Sequence, residues 1–216
     1  MQDSPKEDYI LCDGCESYLG LVESISAPVF REWSAKVAAG EFTERTVYDF
    51  FKIVDCLSSN SSIVRLLVYS IFWRVSISSV PLFDDYRIDS KIEENLRLAV
   101  LAKKSTTSSE LRDMILNEQL PVYPYTAMTA PSFADGTANI LMALVSQIPA
   151  VLHVDRFVFV LYGSAFDVPT GLLGEFANVD NSDCKIAVVP EAVWHEQMVQ
   201  RPLLMAAEQE RRRKGQ

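Results

Sequence analysis

The sequence predicts a mainly α-helical protein, a bundle built around a buried central helix at about residues 62–78, with a small β element in the C-terminal third. Three observations predict it. Ile63, Val64, Leu66, Leu67, Val68, Ile71, Phe72, Trp73, Val75 and Ile77 are spread around the whole helical circumference. A helix apolar on every face must be enclosed by neighbours. Ser90 with Glu93, and Thr107 with Glu110, each read as a capping box that opens a further helix. Finally, 49% of the residues are hydrophobic and 23% charged, a balance that supports a packed core rather than disorder.

Residues 1–11 read as an acidic lead. Tyr18, Leu19, Leu21, Val22 and Ile25 suggest a short first helix, which Pro28 restarts because proline is tolerated in a first helical turn. Val29, Phe30, Trp33 and Val37 share its face, and Gly40 is placed to end it. Thr43 is a suitable N-cap for the next helix, whose stripe is Val47, Phe50, Phe51, Val54 and Leu57. Asn60-Ser61-Ser62 then forms a turn and cap before the central helix, and the capping boxes open helices at about 91–104 and 108–118. Pro121, Pro124 and Pro131 make 119–136 a proline-rich loop or arm. A helix is expected over 137–148. Phe157–Leu161 and Lys185–Val189 suit short strands, although a buried helical segment of that length has the same pattern. A helix from about 191, kinked by Pro202, carries the chain to its end. The expected organisation is an N-terminal bundle (1–118), the arm (119–136) and a C-terminal part (137–216), forming one compact unit.

Twenty basic and twenty-nine acidic residues give a formal charge of −9. Such a field opposes non-specific attachment to nucleic acid or anionic lipid, so contact of that kind needs a local basic cluster. Arg211-Arg212-Arg213-Lys214 is such a cluster. Its bland alternative is an offset to the dipole at a helix C-terminus. Thr137–Val154 carries no charge, but Asn139, Gln147 and Pro149 interrupt it, and Arg65 and Arg74 interrupt residues 62–83. No membrane span is therefore expected. With no apolar leader after the polar first residues, a cytoplasmic and alternatively nuclear location follows.

Four cysteines, Cys12, Cys15, Cys56 and Cys184, are too few and too scattered for a disulfide scaffold. Cys12 and Cys15 have the C-x-x-C spacing with which a tight turn presents two thiolates to one zinc. The string Ile10-Leu11-Cys12-Asp13-Gly14-Cys15-Glu16 resembles the middle of a PHD-type zinc finger over seven residues. That resemblance implies a structural zinc, but the further Cys and His ligands of the family have no counterparts nearby. A thiol–disulfide role for the pair normally accompanies a β-α-β context, which the pattern lacks.

His195-Glu196 begins the zinc-protease pattern H-E-x-x-H, but the fifth position is Val199, so the second ligand is missing. Cys184, Asp183 and His195 suit a nucleophile, an orienting acid and a base, the basis of an alternative as a small hydrolase or transferase. His153, within Ala150–Val154, reads as a core residue. No phosphate-binding glycine loop or nucleophile elbow occurs.

The balance favours contact over chemistry. The expected protein is a non-catalytic intracellular structural or interaction protein, in its most specific form a self-assembling, coat- or nucleocapsid-like subunit that needs no cofactor. Its expected contacts are Tyr123, Tyr125 and Phe133 of the arm and Arg211, Arg212, Arg213 and Lys214 of the tail. They would meet a protein partner, copies of itself, or nucleic acid through the basic cluster. A zinc-stapled module through Cys12 and Cys15 is the remaining alternative.

Overall fold

A computed structural model describes residues 11–117, 120–133 and 141–200. It corrects the fold class. The helices are present, but they pack on a seven-stranded mixed sheet, so the molecule is a layered α/β structure and not a mainly helical bundle.

Helix α1 spans Asp13–Arg31, with Pro28 inside it rather than restarting it, and α2 follows over Trp33–Ala38. Gly40 takes a left-handed φ of 74° just past α2, as expected of a helix-ending glycine. Residues 43–57 then depart from the helical stripe. They form strands β1 (Thr43–Val47) and β2 (Phe51–Asp55), paired antiparallel with Val47 opposite Phe51. Thr43, Thr46, Val47, Ile53 and Val54 are β-branched and suit a pleated surface. The turn between them uses left-handed backbone at Tyr48 (φ 50°) and Asp49 (φ 67°) without a glycine, so the usual hairpin signal was absent.

The central helix is α3, Ser61–Ile77, capped by the Asn60 side chain, which accepts from the Ile63 N–H at 3.1 Å. Helices α4 (Ser90–Leu101) and α5 (Ser108–Asn117) follow. Asp89, not Ser90, caps α4, accepting from the N–H groups of Lys91 and Ile92, while the Glu93 carboxylate is engaged by the Ser76 hydroxyl. At α5 the Thr107 hydroxyl accepts from the Glu110 N–H at 3.2 Å, and the Glu110 carboxylate accepts from the Thr106 N–H.

Within the expected arm, Tyr125–Thr129 is strand β3, buried along its whole length at the middle of the sheet. Pro124 and Pro131 flank it, where a missing N–H costs no ladder bond. Part of the expected 137–148 helix is instead strand β4 (Leu141–Val145). Five consecutive apolar residues carry neither a period of 2 nor one of 3.6, so tertiary pairing decided their form. Strands β5 (Ala150–Val154) and β6 (Phe157–Leu161) form a hairpin, and β7 (Lys185–Val188) completes the sheet. The order is β1-β2-β7-β3-β6-β5-β4, with β3 and β7 parallel and the other pairs antiparallel. Short helices α6 (Leu172–Glu175) and α7 (Glu191–Trp194) follow β6 and β7 respectively, and α7 runs into a π-helical turn at His195–Gln200.

Alternate residues of the strands feed two cores. Val54, Ala127, Leu152, Phe157, Phe159, Ile186 and Val188 join the side chains of α1, α3 and α4. Ile53, Met128, Val158 and Ala187 join Phe176 and Trp194 on the opposite face. The first core draws on residues from Tyr18 to Val188. Two buried arginines tie segments to it. Arg65 of α3 donates to the carbonyls of Tyr123 (2.9 Å), Asn178 (3.3 Å) and Asp180, and lies 5.2 Å from the centre of the Tyr125 ring. Arg156, in the β5–β6 turn, donates to Phe133 O (2.7 Å) and to the α1 carbonyls of Phe30 and Arg31, where a cation offsets the helix dipole.

Candidate interaction surface

The end of α1, the middle of α3 and the β5–β6 turn enclose a half-open cavity of about 250 Å³. Phe30, Phe157 and Phe159 floor it in edge-on contact, with Phe30 5.2 Å from Phe157 and 5.3 Å from Phe159 between ring centres. Ala27, Leu67, Ile71 and Val154 form apolar wall. Four charged groups also line it. Arg74 is paired with Glu23 at 2.7 Å, and Arg31 and Asp155 complete the set. Asp155 holds a left-handed φ of 55° in the two-residue turn between Val154 and Phe157. An apolar cavity of roughly 150 Å³ is enough to seat a benzene ring. This one has room for an aromatic side chain but is smaller than typical small-molecule sites.

Beside the cavity lies the β4 edge. Leu141 is registered opposite Val154, a wall residue, and β4 carries no charge from Leu141 to Val145. Among the described residues its only strand partner is β5, and the register shifts between Ala143 and Val145. A bulge of that kind turns an edge away from regular pairing, so β4 offers apolar side chains rather than a clean ladder. The opposite edge, β1, carries Glu44 and Arg45, ion-paired to Lys52 (2.8 Å) and Asp55 (3.2 Å) of β2.

A third feature is Phe166, 99% exposed in the short turn Ala165–Asp167. The turn is held in place: the Ser164 hydroxyl donates to the Asp167 carboxylate at 2.9 Å, and the Asp167 N–H to the Ser164 carbonyl at 3.2 Å. Gly163 fits closely beneath it, since a Cβ there would lie 3.1 Å from that carboxylate and 3.2 Å from Ile148. A fixed turn thus holds a phenyl ring in water, and Phe166 is not among the cavity's own lining residues. No periodicity marks a lone exposed phenylalanine, so the sequence drew no attention to it.

Of the residues expected from sequence to make contacts, those of the arm pack as follows. Tyr125 is 1% exposed beneath Arg65, so its ring offers no surface. Tyr123 is half-buried, its N–H donating to the Tyr69 hydroxyl at 2.6 Å and its own hydroxyl accepting from Asn95 at 2.6 Å. Phe133 packs edge-on against Trp194 at 5.7 Å. Prolines near aromatics marked entry to a central strand here, not a free arm. The tail residues Arg211, Arg212, Arg213 and Lys214 lie outside the described residues.

Cys184 and His195 are not brought together. Cys184 is buried in the helix-side core beside Cys56, whose N–H donates to its carbonyl at 2.8 Å. A hydrogen bond between the two sulfurs, together with burial, pushes the Cys56 thiol far above the usual range. His195 is exposed, directly after Trp194 of the opposite core. The nucleophile–base arrangement therefore has no geometric support. Cys12 and Cys15 do meet, 3.3 Å apart at the start of α1, but no group of three or more metal-ligating side chains occurs among the described residues. No helix among those residues is long and apolar enough to cross a membrane.

Neither a family model, nor a characterised protein, nor a solved structure matches this chain. Functional reading therefore rests on the geometry.

Proposed function

We propose that this protein is a non-catalytic intracellular structural or interaction protein that assembles with copies of itself, the Phe166 ring of one copy entering the Phe30–Phe157–Phe159 cavity of the next. The observation that carries the reading is a fully exposed phenylalanine on a pinned turn in a chain that also bears an aromatic-floored cavity of matching size. Each copy offers one ring and one cavity, so the contact either closes reciprocally as a two-fold dimer or runs head-to-tail into rings or open chains. Burying one phenyl ring stabilises by about 1.5–3 kcal/mol. That falls short of the roughly 4 kcal/mol or more that association costs, so the apolar β4 edge beside the cavity contributes and assembly rises with concentration.

Light scattering coupled to size exclusion tests the reading. Wild type should gain mass with concentration. Phe166→Ser and Ala27→Phe, the second filling the cavity, should each remain monomeric. An equal mixture of the two retains one intact ring–cavity pair and should give a dimer. Phe166→Ser assembling as wild type does, or a wild type monomeric at every concentration, would refute it. Excess absorbance at 260 nm with an assembly insensitive to Phe166→Ser would assign the scaffold to nucleic acid instead.

A further inference from the structure

The start of α1 carries a second arrangement, independent of the cavity. Cys12 is the N-cap residue of this 19-residue helix, and Cys15 lies in its first turn. The Cys12 carbonyl accepts from the N–H groups of Cys15 (2.7 Å) and Glu16 (3.0 Å), which brings residues 12 and 15 onto one side of the turn. Their sulfurs lie 3.3 Å apart. Cys12 is exposed and Cys15 less so. Lys104, from the loop joining α4 to α5, places its ammonium 3.5 Å from the Cys15 sulfur and 4.0 Å from that of Cys12. Gly14 leaves room for it, since a Cβ there would meet the Lys104 Nζ at 3.1 Å. Asp13 and Glu16 are the acidic neighbours on the same turn.

We propose that Cys12 and Cys15 form a thiol–disulfide exchange site for small-molecule disulfides of the glutathione type, with Cys12 the attacking sulfur and Cys15 the resolving one. The Cys12 thiolate attacks one sulfur of the disulfide, whose S–S bond breaks and releases one glutathione thiolate. The Cys15 thiol, losing its proton to that thiolate or to water, then attacks the Cys12 sulfur and expels the second glutathione. Two electrons pass from the cysteine pair to the glutathione pair, and an intramolecular disulfide remains. The asymmetry of the site fits these roles. The hydrogen bond between the two sulfurs lowers the Cys12 pKa, and Cys12 is the more exposed sulfur at the helix N-cap; Lys104 serves both sulfurs, lying closer to Cys15. The same sulfur–sulfur hydrogen bond, with burial, raises the pKa of Cys15. Cys56 and Cys184 lie buried on the helix side of the sheet and take no part.

The experiment incubates reduced protein with glutathione disulfide and follows intact mass. Wild type should lose two hydrogens and hold no glutathione. Cys15→Ser should retain one glutathione on Cys12, Cys12→Ser should hold none over the same interval, and Lys104→Met should slow the first step severalfold. Both cysteines are at the surface, so matching circular dichroism spectra confirm intact folds. A wild type that accumulates a stable glutathione adduct, or Cys12→Ser reacting as fast as Cys15→Ser, would overturn the assignment. Stoichiometric zinc retained by the purified protein, blocking exchange until chelated, would make the pair a metal site instead.

Discussion

His153 shows how one side chain couples the sheet to pH. It sits on β5 facing the second core, fully buried, with its ring edge-on to Trp194 at 5.7 Å. Neither ring nitrogen has a hydrogen-bond partner among the described residues. Burial lowers its pKa to about 4, the nearby Asp155 charge opposing only in part, so the folded protein holds it neutral. The unfolded chain binds this proton near the ordinary histidine value, about 6.5. Between those values the unfolded state carries the extra proton. The contribution of His153 is therefore fully present above pH 6.5 and is lost as pH falls toward 4, an effect on the order of 3 kcal/mol. Denaturant titrations at pH 7 and pH 4.5 should show wild type losing more stability than His153→Leu. Equal losses would mean that the imidazole does not set this dependence. The sequence reading of His153 as a core residue matches its burial, whereas its contact with Trp194 joins positions forty-one residues apart and had no local signature.

At the scale of elements, the β1–β2 hairpin is the clearest case of tertiary context overriding pattern. Residues 43–57 have apolar spacing that fits a helix, and the hairpin form places two non-glycine residues, Tyr48 and Asp49, in left-handed backbone. That conformation is unfavourable for residues with a Cβ and free of that cost for glycine. Asp49→Gly should raise stability by about 0.5–1 kcal/mol, seen as a melting temperature about 1–4 °C higher. A lower melting temperature would show that the aspartate side chain supports the turn. What drew the segment into the sheet is β7: Ile53 pairs with Ala187 and Val54 with Ile186, contacts from the far end of the chain. By contrast α3, α4 and α5 were legible, because apolar spacing and caps are local properties. Even so, the cap of α4 fell one residue earlier than expected, at Asp89.

For the whole molecule, charge and assembly pull in opposite directions. Each copy carries −9, so bringing copies together raises like-charge repulsion, while the proposed contact is a phenyl ring in an apolar cavity. Added salt screens the first and leaves the second, so mass by light scattering should increase between about 0.05 and 0.5 M sodium chloride. An assembly scaffolded by nucleic acid through basic residues would weaken over that range. The sequence by itself determined the existence of α3, α4 and α5 and the enclosure of the first of them, since caps and apolar spacing lie within a few turns of one another; it left the runs of β6 and β7 open between strand and buried helix. The tertiary structure alone decided that these helices cover a seven-stranded sheet. It also decided that Tyr125 lies in the sheet's central strand and that Phe30, Phe157 and Phe159 meet around a cavity. Strand pairing and cavity walls join residues more than a hundred positions apart, and their stability comes from partners that no local pattern encodes.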